Sequence, residues 1–172
     1  MIKGITHIES FIPKPELLFA HLLETTQWDE RMHTRKTASF GVAYNYSQIS
    51  YPFQTMPSQL STICKKINET IGYQPNNCLI NLYPDGSSKM GYHSDQIDIL
   101  AENTGIAIVS LGEERTLQFR NIDDYEKRHS FDLKAGSLVY MTQEVQKEWK
   151  HALLKSSTPN PRISLTFRNI VS

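Results

Sequence analysis

The stretch Arg162-Ile163-Ser164-Leu165-Thr166-Phe167-Arg168 decides how the chain folds. Side chains alternate across a strand, so Ile163, Leu165 and Phe167 share one face and Arg162, Ser164, Thr166 and Arg168 share the other. The apolar face must find a hydrophobic layer. The polar face then points either to water, as on an edge strand, or into the interior of a two-sheet sandwich. In the second case two guanidinium groups enter a partly desolvated cavity, where a charge is tolerated only if it is paired. The sequence offers no obvious acidic pair nearby. A small dicarboxylate ligand would satisfy both arginines, because guanidinium grips carboxylate through a planar fork.

The same texture extends back toward Asn77. Short strands are expected at Cys78 to Tyr83, Ile106 to Leu111, Thr116 to Phe119, Ser130 to Leu133, Ser137 to Met141 and Arg162 to Ile170. Turn residues such as Pro84-Asp85-Gly86 and Ala135-Gly136 separate them. Strands at this spacing indicate a sandwich or jelly roll. The first half differs. Pro15 to about Trp28, with Leu18, Leu22 and Leu23, and Pro57 to Ile71, with Leu60, Ile63, Cys64, Ile67 and Ile71, have helical periodicity, and Gly72 suits a left-handed cap. Phe40 to Tyr46 and Ile49 to Phe53 are aromatic and β-branched and read as strands or an extended hairpin. The expected class is α+β, mostly β: a jelly roll with the amino-terminal helices on the outer face of one sheet. One domain spans 1–172, with 1–76 as helical support and lid and 77–172 as the core.

Composition narrows the function. The chain has 172 residues, 39% of them hydrophobic, enough for one sizeable core. Lys plus Arg equals Asp plus Glu at 18 each, so bulk charge does not attract a polyanion and any nucleic-acid affinity must be local and modest. The clusters Arg31, Arg35, Lys36 and Lys127, Arg128 are the candidates for phosphate contact. No apolar run is long enough to span a membrane and no signal-peptide core is seen. Cys64 and Cys78 suggest no disulfide framework. A cytoplasmic monomer is the expectation.

The sharpest local feature is His93-Ser94-Asp95. Positions two apart on an extended segment point to the same side, so an imidazole and a carboxylate converge. A third ligand would complete the two-His, one-carboxylate triad that binds iron(II) on one face and leaves the other open, and His151 is the best candidate. Alone, H-x-D is a weak motif. Asn81 and Tyr83 share a strand face shortly before it and offer an amide and a phenol to the same ligand.

Asn81-Leu82-Tyr83, Asp85-Gly86, His93-Ser94-Asp95, Trp149-Lys150-His151-Ala152-Leu153 and Pro161 through Arg168 together resemble the AlkB family of iron(II) and 2-oxoglutarate-dependent dioxygenases. The similarity runs from about Arg35 to Asn169 and includes Arg35 to Gly41 leading to Tyr44-Asn45-Tyr46, which is similar to the substrate-lid region of the DNA-repair members. The resemblance implies a double-stranded β-helix with His93, Asp95 and His151 on Fe(II). It implies Arg162 and Tyr83 on the far carboxylate of 2-oxoglutarate, Arg168 and Asn81 near its other end, and Thr166 lining the pocket. It also implies O2 as co-substrate, hydroxylation of an N-alkyl carbon and release of an aldehyde from alkylated DNA or RNA.

Tyr44 and Tyr46, joined by Trp28, correspond to aromatics that clamp an extruded base, where stacking contributes about 1–3 kcal/mol. The alternative is that they fill space between helices and sheet. The chain departs from the family pattern at Gln96-Ile97-Asp98: two places after Asp95, where repair members carry an acid, stands Ile97, leaving Gln96 or Asp98 to substitute as a base contact, although a one-residue shift in an extended chain reverses the side-chain face. Two other functions therefore stand beside DNA repair. One is the same chemistry on modified RNA, a protein side chain or a metabolite, and the other is a jelly-roll binding module without catalysis.

Overall fold

The structure is a computed structural model describing residues 1–171. In chain order its elements are β1 (Ile5–Ile8), α1 (Pro15–Thr25), β2 (Lys36–Gly41), β3 (Tyr44–Tyr46), β4 (Ile49–Tyr51), α2 (Ser58–Ile71), β5 (Asn77–Tyr83), β6 (Met90–His93), β7 (Ile106–Gly112), β8 (Arg115–Asn121), β9 (Arg128–Leu133), β10 (Leu138–Met141), α3 (Gln143–Glu148), β11 (Trp149–Leu153) and β12 (Arg162–Arg168). A six-stranded sheet runs β1-β10-β7-β12-β5-β2 and a four-stranded sheet runs β6-β11-β8-β9, with β3 and β4 forming a hairpin. All pairings in these sheets are antiparallel, as expected for a jelly roll.

β12 is central in the larger sheet, bonded to β5 and β7, which removes the edge-strand alternative. Its alternation divides the molecule. Ile163, Leu165 and Phe167 join Ile80, Leu82, Val109 and Leu111 in an outer apolar layer, and Leu60, Ile63, Cys64 and Ile67 of α2 cover it. Leu22 of α1 joins the same layer, with Phe19 and Leu18 half-buried beside it. Leu23, expected on that apolar face, lies at the solvent side, because at 100° per residue it follows Leu22 around the helix. Gly72 ends α2 in the left-handed conformation expected for it, with φ of 102°.

Every strand anticipated from Cys78 onward is present with ends shifted by at most two residues. The strand expected over Phe40 to Tyr46 is broken. Gly41 takes φ of +85°, and a Cβ there would meet the Asn76 carbonyl oxygen at 2.0 Å, so β2 stops at this glycine and β3 starts afresh at Tyr44. The strand expected to reach Phe53 ends at Tyr51, before Pro52, which has no N–H to donate. β1, β6, β11 and α3 escape periodicity because they are short. β1 and β6 are also edge strands, each with one partner. Residues 1–76 contribute both edges of the larger sheet, β1 and β2, as well as helices and lid. Among the described residues, no helix is long and apolar enough to cross a membrane.

A second apolar cluster lies between the sheets. Leu117, Phe119 and Leu133 of the smaller sheet meet Ile106, Val139 and Met141 of the larger. It closes one end of the sandwich, while Tyr44, Tyr51 and Leu79 pack at the lid. Space remains between them.

Leu60 is fully buried between α2 and the larger sheet. Leu60→Ala should lower stability by about 2–5 kcal/mol in chemical denaturation and leave the stoichiometry of metal binding unchanged, since the helix sits on the far side of the sheet from the cavity.

Candidate active site

The polar face of β12 turns inward. Arg162, Ser164, Thr166 and Arg168 are all buried and line a cavity between the sheets, which encloses about 510 Å³ counting its open mouth. Asn81 and Tyr83 join them from β5, in direct register with Ser164 and Arg162. Met90, Ile108, Leu117, Leu133 and Leu153 supply the apolar wall.

His93, Asp95 and His151 meet at this cavity although His151 lies 56 positions after Asp95 in the sequence. The cause is sheet pairing: β11 lies antiparallel to β6 with His151 opposite His93. One ligand atom from each residue lies within 4.8 Å of the others. Asp95 Oδ1 is 3.3 Å from His93 Nε2 and 3.7 Å from His151 Nε2. His93 Nδ1 is 2.8 Å from the Gly91 carbonyl, so an Nδ1–H donates there and leaves the Nε2 lone pair turned to the other two ligands. Two imidazole nitrogens and a carboxylate oxygen on one side of an open space suit a divalent iron-type ion.

Electrostatics supports the same arrangement. Burial alone would raise the Asp95 carboxyl, but the His93 hydrogen bond and the neighbouring His151 and Arg168 outweigh it and hold it well below the usual carboxylate range. Burial, together with His93 and Arg168, pushes His151 down to about 4 against the pull of Asp95, so near neutral pH it is an unprotonated imidazole with a lone pair available to a metal. His151 Nδ1 is buried without a protein partner.

The arginines are left wanting. Arg162 donates to Ser110 Oγ at 2.9 Å and lies over the Tyr83 ring at 5.4 Å, while its Nε has no partner. Burial pushes Arg162 down to about 10, which still leaves it charged near neutrality. Arg168 stands beside the triad, with Nη2 3.6 Å from Asp95 Oδ2, and its Nε and Nη1 are unpartnered. Two buried cations with idle donors, and a single carboxylate that reaches only Arg168, fit a dianionic ligand.

The lid residues separate. Tyr46 lines the cavity mouth. Tyr44 is buried behind it, stacked on Tyr46 with ring centroids 6.1 Å apart and covering Arg168 at 4.9 Å. Trp28 packs against the outer apolar layer, so the structure does not bring it to the cavity. Gln96 is exposed, and neither it nor Ile97 lines the cavity; Ile97 packs on the inner apolar cluster. Of the basic residues near the lid, Arg31 pairs with Asp29 and Lys36 with Glu30, whereas Arg35 reaches the mouth, donating to Asn81 Oδ1. Lys127 and Arg128 are exposed in a remote hairpin.

Two positioning residues had no signal in the sequence. Gln146, buried in α3, accepts the Asp95 backbone N–H at 2.8 Å, and Ser94 Oγ donates to the Trp149 carbonyl, so both sides of the H-x-D turn are pinned to the chain leading into β11. Arg115 is buried and donates to the carbonyls of Asp85, Gly86, Ser88 and Leu154, fixing the loop before β6. The first sits in a short helix and the second in an ordinary strand, so neither stands out locally.

Comparison with known proteins follows this geometry. A sequence profile of the 2OG-Fe(II) oxygenase superfamily matches residues 5–168. Uncharacterized protein R406 of Acanthamoeba polyphaga mimivirus is 34% identical over 160 residues, covering 92% of this chain and 82% of that protein. Human DNA oxidative demethylase ALKBH2 is 32% identical over 80% of this chain and 57% of its own length. Human alpha-ketoglutarate-dependent dioxygenase alkB homolog 3 is 28% identical over 92% of this chain and 63% of its own. The chain thus spans about three-fifths of the two human proteins. The structure of OsALKBH1 has the same fold, with a TM-score of 0.74 at 16% identity over 98% of this chain and 99% of that one. A Pseudomonas putida prolyl-4-hydroxylase follows at 0.59 and 19% identity, covering 96% and 92%.

Asp95→Ala should abolish tight Mn(II) binding in a calorimetric titration, and Gln146→Leu should weaken it by about tenfold or more. Undiminished binding in the Asp95 variant would refute the ligand assignment. Arg162→Ala should raise the dissociation constant for 2-oxoglutarate by about tenfold or more, the worth of a charge-assisted contact, with metal affinity preserved.

Proposed function

The chain belongs to the 2OG-Fe(II) oxygenase superfamily, among its AlkB-type members, and we propose that it removes alkyl groups from bases in nucleic acid, with DNA as the favoured target. It is a dioxygenase that uses Fe(II), 2-oxoglutarate and O2. Bound together, these supply a two-electron oxidation in which one oxygen atom enters a substrate C–H bond and the other enters succinate as carbon dioxide leaves. An N-methyl group hydroxylated in this way departs as formaldehyde and restores the N–H.

The chain's own residues do the rest. His93, Asp95 and His151 would hold the metal, with His151 unprotonated and His93 oriented by the Gly91 carbonyl. Arg162, aided by Tyr83, would take the far carboxylate of the co-substrate. Arg168 and Asn81 would stand at its near end and Thr166 beside it. The apolar wall excludes water from the reacting atoms. With these roles residues 1–172 would act as one catalytic domain, in which 1–76 supply helical support, the lid and the two edge strands of the larger sheet.

One observation carries the nucleic-acid reading: Tyr46, stacked on Tyr44, presents a ring at the mouth of the cavity that holds the triad. An aromatic ring there offers a stacking surface for an extruded base. The position of Ile97 favours a second reading, the same chemistry on modified RNA, a protein side chain or a metabolite, because no carboxylate after Asp95 reaches the cavity to hold a base edge.

Iron-loaded protein incubated with 2-oxoglutarate and N-methylated single- and double-stranded oligonucleotides should release formaldehyde in step with succinate. Tyr46→Ala should lower kcat/KM by about 5- to 100-fold, the worth of one stacked base. Co-substrate turnover that no methylated oligonucleotide stimulates would favour the second reading.

A further inference from the structure

The hydroxyl that would take the far carboxylate of the co-substrate already has a partner. Tyr83 Oη donates to the thioether sulfur of Met90 at 3.1 Å, next to Arg162, which stands opposite Tyr83 in the sheet and lies over its ring. Of the chain's five methionines, Met90 alone lines the cavity among the described residues. An irregularity in the smaller sheet puts it there. Positions three apart on a regular strand face opposite sides, so Met90 and His93 of β6 would diverge. Against β11, however, His93 stands opposite His151 and Met90 opposite Leu153, three steps of one strand against two of the other, and both side chains reach the cavity.

A thioether is a weak acceptor. It satisfies the Tyr83 hydroxyl inside the sandwich, where an unpaired donor is costly, and it yields that hydroxyl to a carboxylate, which binds the same donor more strongly. Oxidation reverses this ranking. A sulfur lone pair attacks one oxygen of hydrogen peroxide and an S–O bond forms as the O–O bond breaks. The sulfur gives up two electrons, the proton on the attacked oxygen passes to the leaving hydroxide, and water departs. The resulting sulfoxide is polar and carries an acceptor oxygen where the weak sulfur acceptor stood. Met90 is half-buried at a cavity with an open mouth, so a molecule as small as peroxide has access to it. Met141, by contrast, is sealed in the core and already accepts from Gln146.

We propose that Met90 is a redox-sensitive modification site: its sulfoxide captures the Tyr83 hydroxyl and closes the far-carboxylate end of the cavity to 2-oxoglutarate, leaving the metal triad intact. This rests on the reading above that gives Tyr83 and Arg162 to that carboxylate.

The test uses the full chain loaded with Zn(II), which is redox-inert toward peroxide. Treatment with dilute hydrogen peroxide, followed by desalting, should add one oxygen atom to the peptide bearing Met90 in tandem mass spectrometry. Calorimetric titration should then show the dissociation constant for 2-oxoglutarate raised by about tenfold or more, the loss of one hydrogen bond to a charged group, with the stoichiometry of Zn(II) unchanged. Met90→Leu should bind 2-oxoglutarate equally before and after the same treatment, which separates Met90 from the other methionines and from Cys64 and Cys78. Met90→Gln, whose amide oxygen is a permanent acceptor at this place, should show the weaker binding without peroxide, with thermal melting confirming that each variant is folded. In Tyr83→Phe the ratio of treated to untreated constants should fall toward one, and a ratio equal to that of the wild type overturns capture of this hydroxyl. Undiminished affinity in protein oxidised at Met90, an equal loss in treated Met90→Leu, or a Met90 that peroxide leaves unmodified each overturns the inference and leaves the co-substrate reading standing. Untreated wild-type protein that fails to bind 2-oxoglutarate overturns both.

Discussion

Two guanidinium groups on one strand face, Arg162 and Arg168, are carried into the interior of the sandwich with a single carboxylate, Asp95, within reach of one of them. Burying a charge without a partner costs several kcal/mol, so the fold must recover that cost elsewhere. It does so through the other face of the same strand. Ile163, Leu165 and Phe167 are fully buried, the larger sheet packs on both sides of them, and α2 seals the layer. The strand that holds the cations in place is thus anchored by its own alternate residues. A bound diacid would supply the missing negative charge, and its binding and the folding of the chain would then draw on the same unsatisfied donors.

The metal-type cluster depends on this frame in a different way. His93 ends an edge strand, Asp95 follows two residues later, and His151 comes from the strand paired to it. Their meeting is a matter of register, maintained by Gln146 on the Asp95 amide and Ser94 on the Trp149 carbonyl. Arg115, bonded to four backbone carbonyls, fixes the loop before His93. The reactive groups are mostly on strand ends and turns, and the residues that fix them are polar groups buried in ordinary-looking elements.

Alternation made much of the fold legible in the sequence. In β12 and β5 the period of two correctly assigned which residues face the cavity, because both strands are buried on both sides and a one-residue slip would reverse every side chain. The helices were legible from their apolar spacing, although Leu23 turned outward. Short edge strands were not legible, since four residues such as Ile5–Ile8 carry too little pattern. The break at Gly41 depends on the approach of the Asn76 carbonyl, which no local pattern records. At the site, H-x-D and the later histidine were readable, but the fates of the aromatics were not: Tyr46 lines the mouth while Trp28 joins the outer layer, and only tertiary packing separates them.

The most direct measurement is an anaerobic crystal structure of the protein with Mn(II) and 2-oxoglutarate. The account predicts one ion bound by His93 Nε2, an Asp95 oxygen and His151 Nε2, with the keto acid end of the ligand on that ion and its far carboxylate on the idle donors of Arg162. An ion bound away from these three groups, or a diacid that leaves Arg162 without a carboxylate, would contradict it.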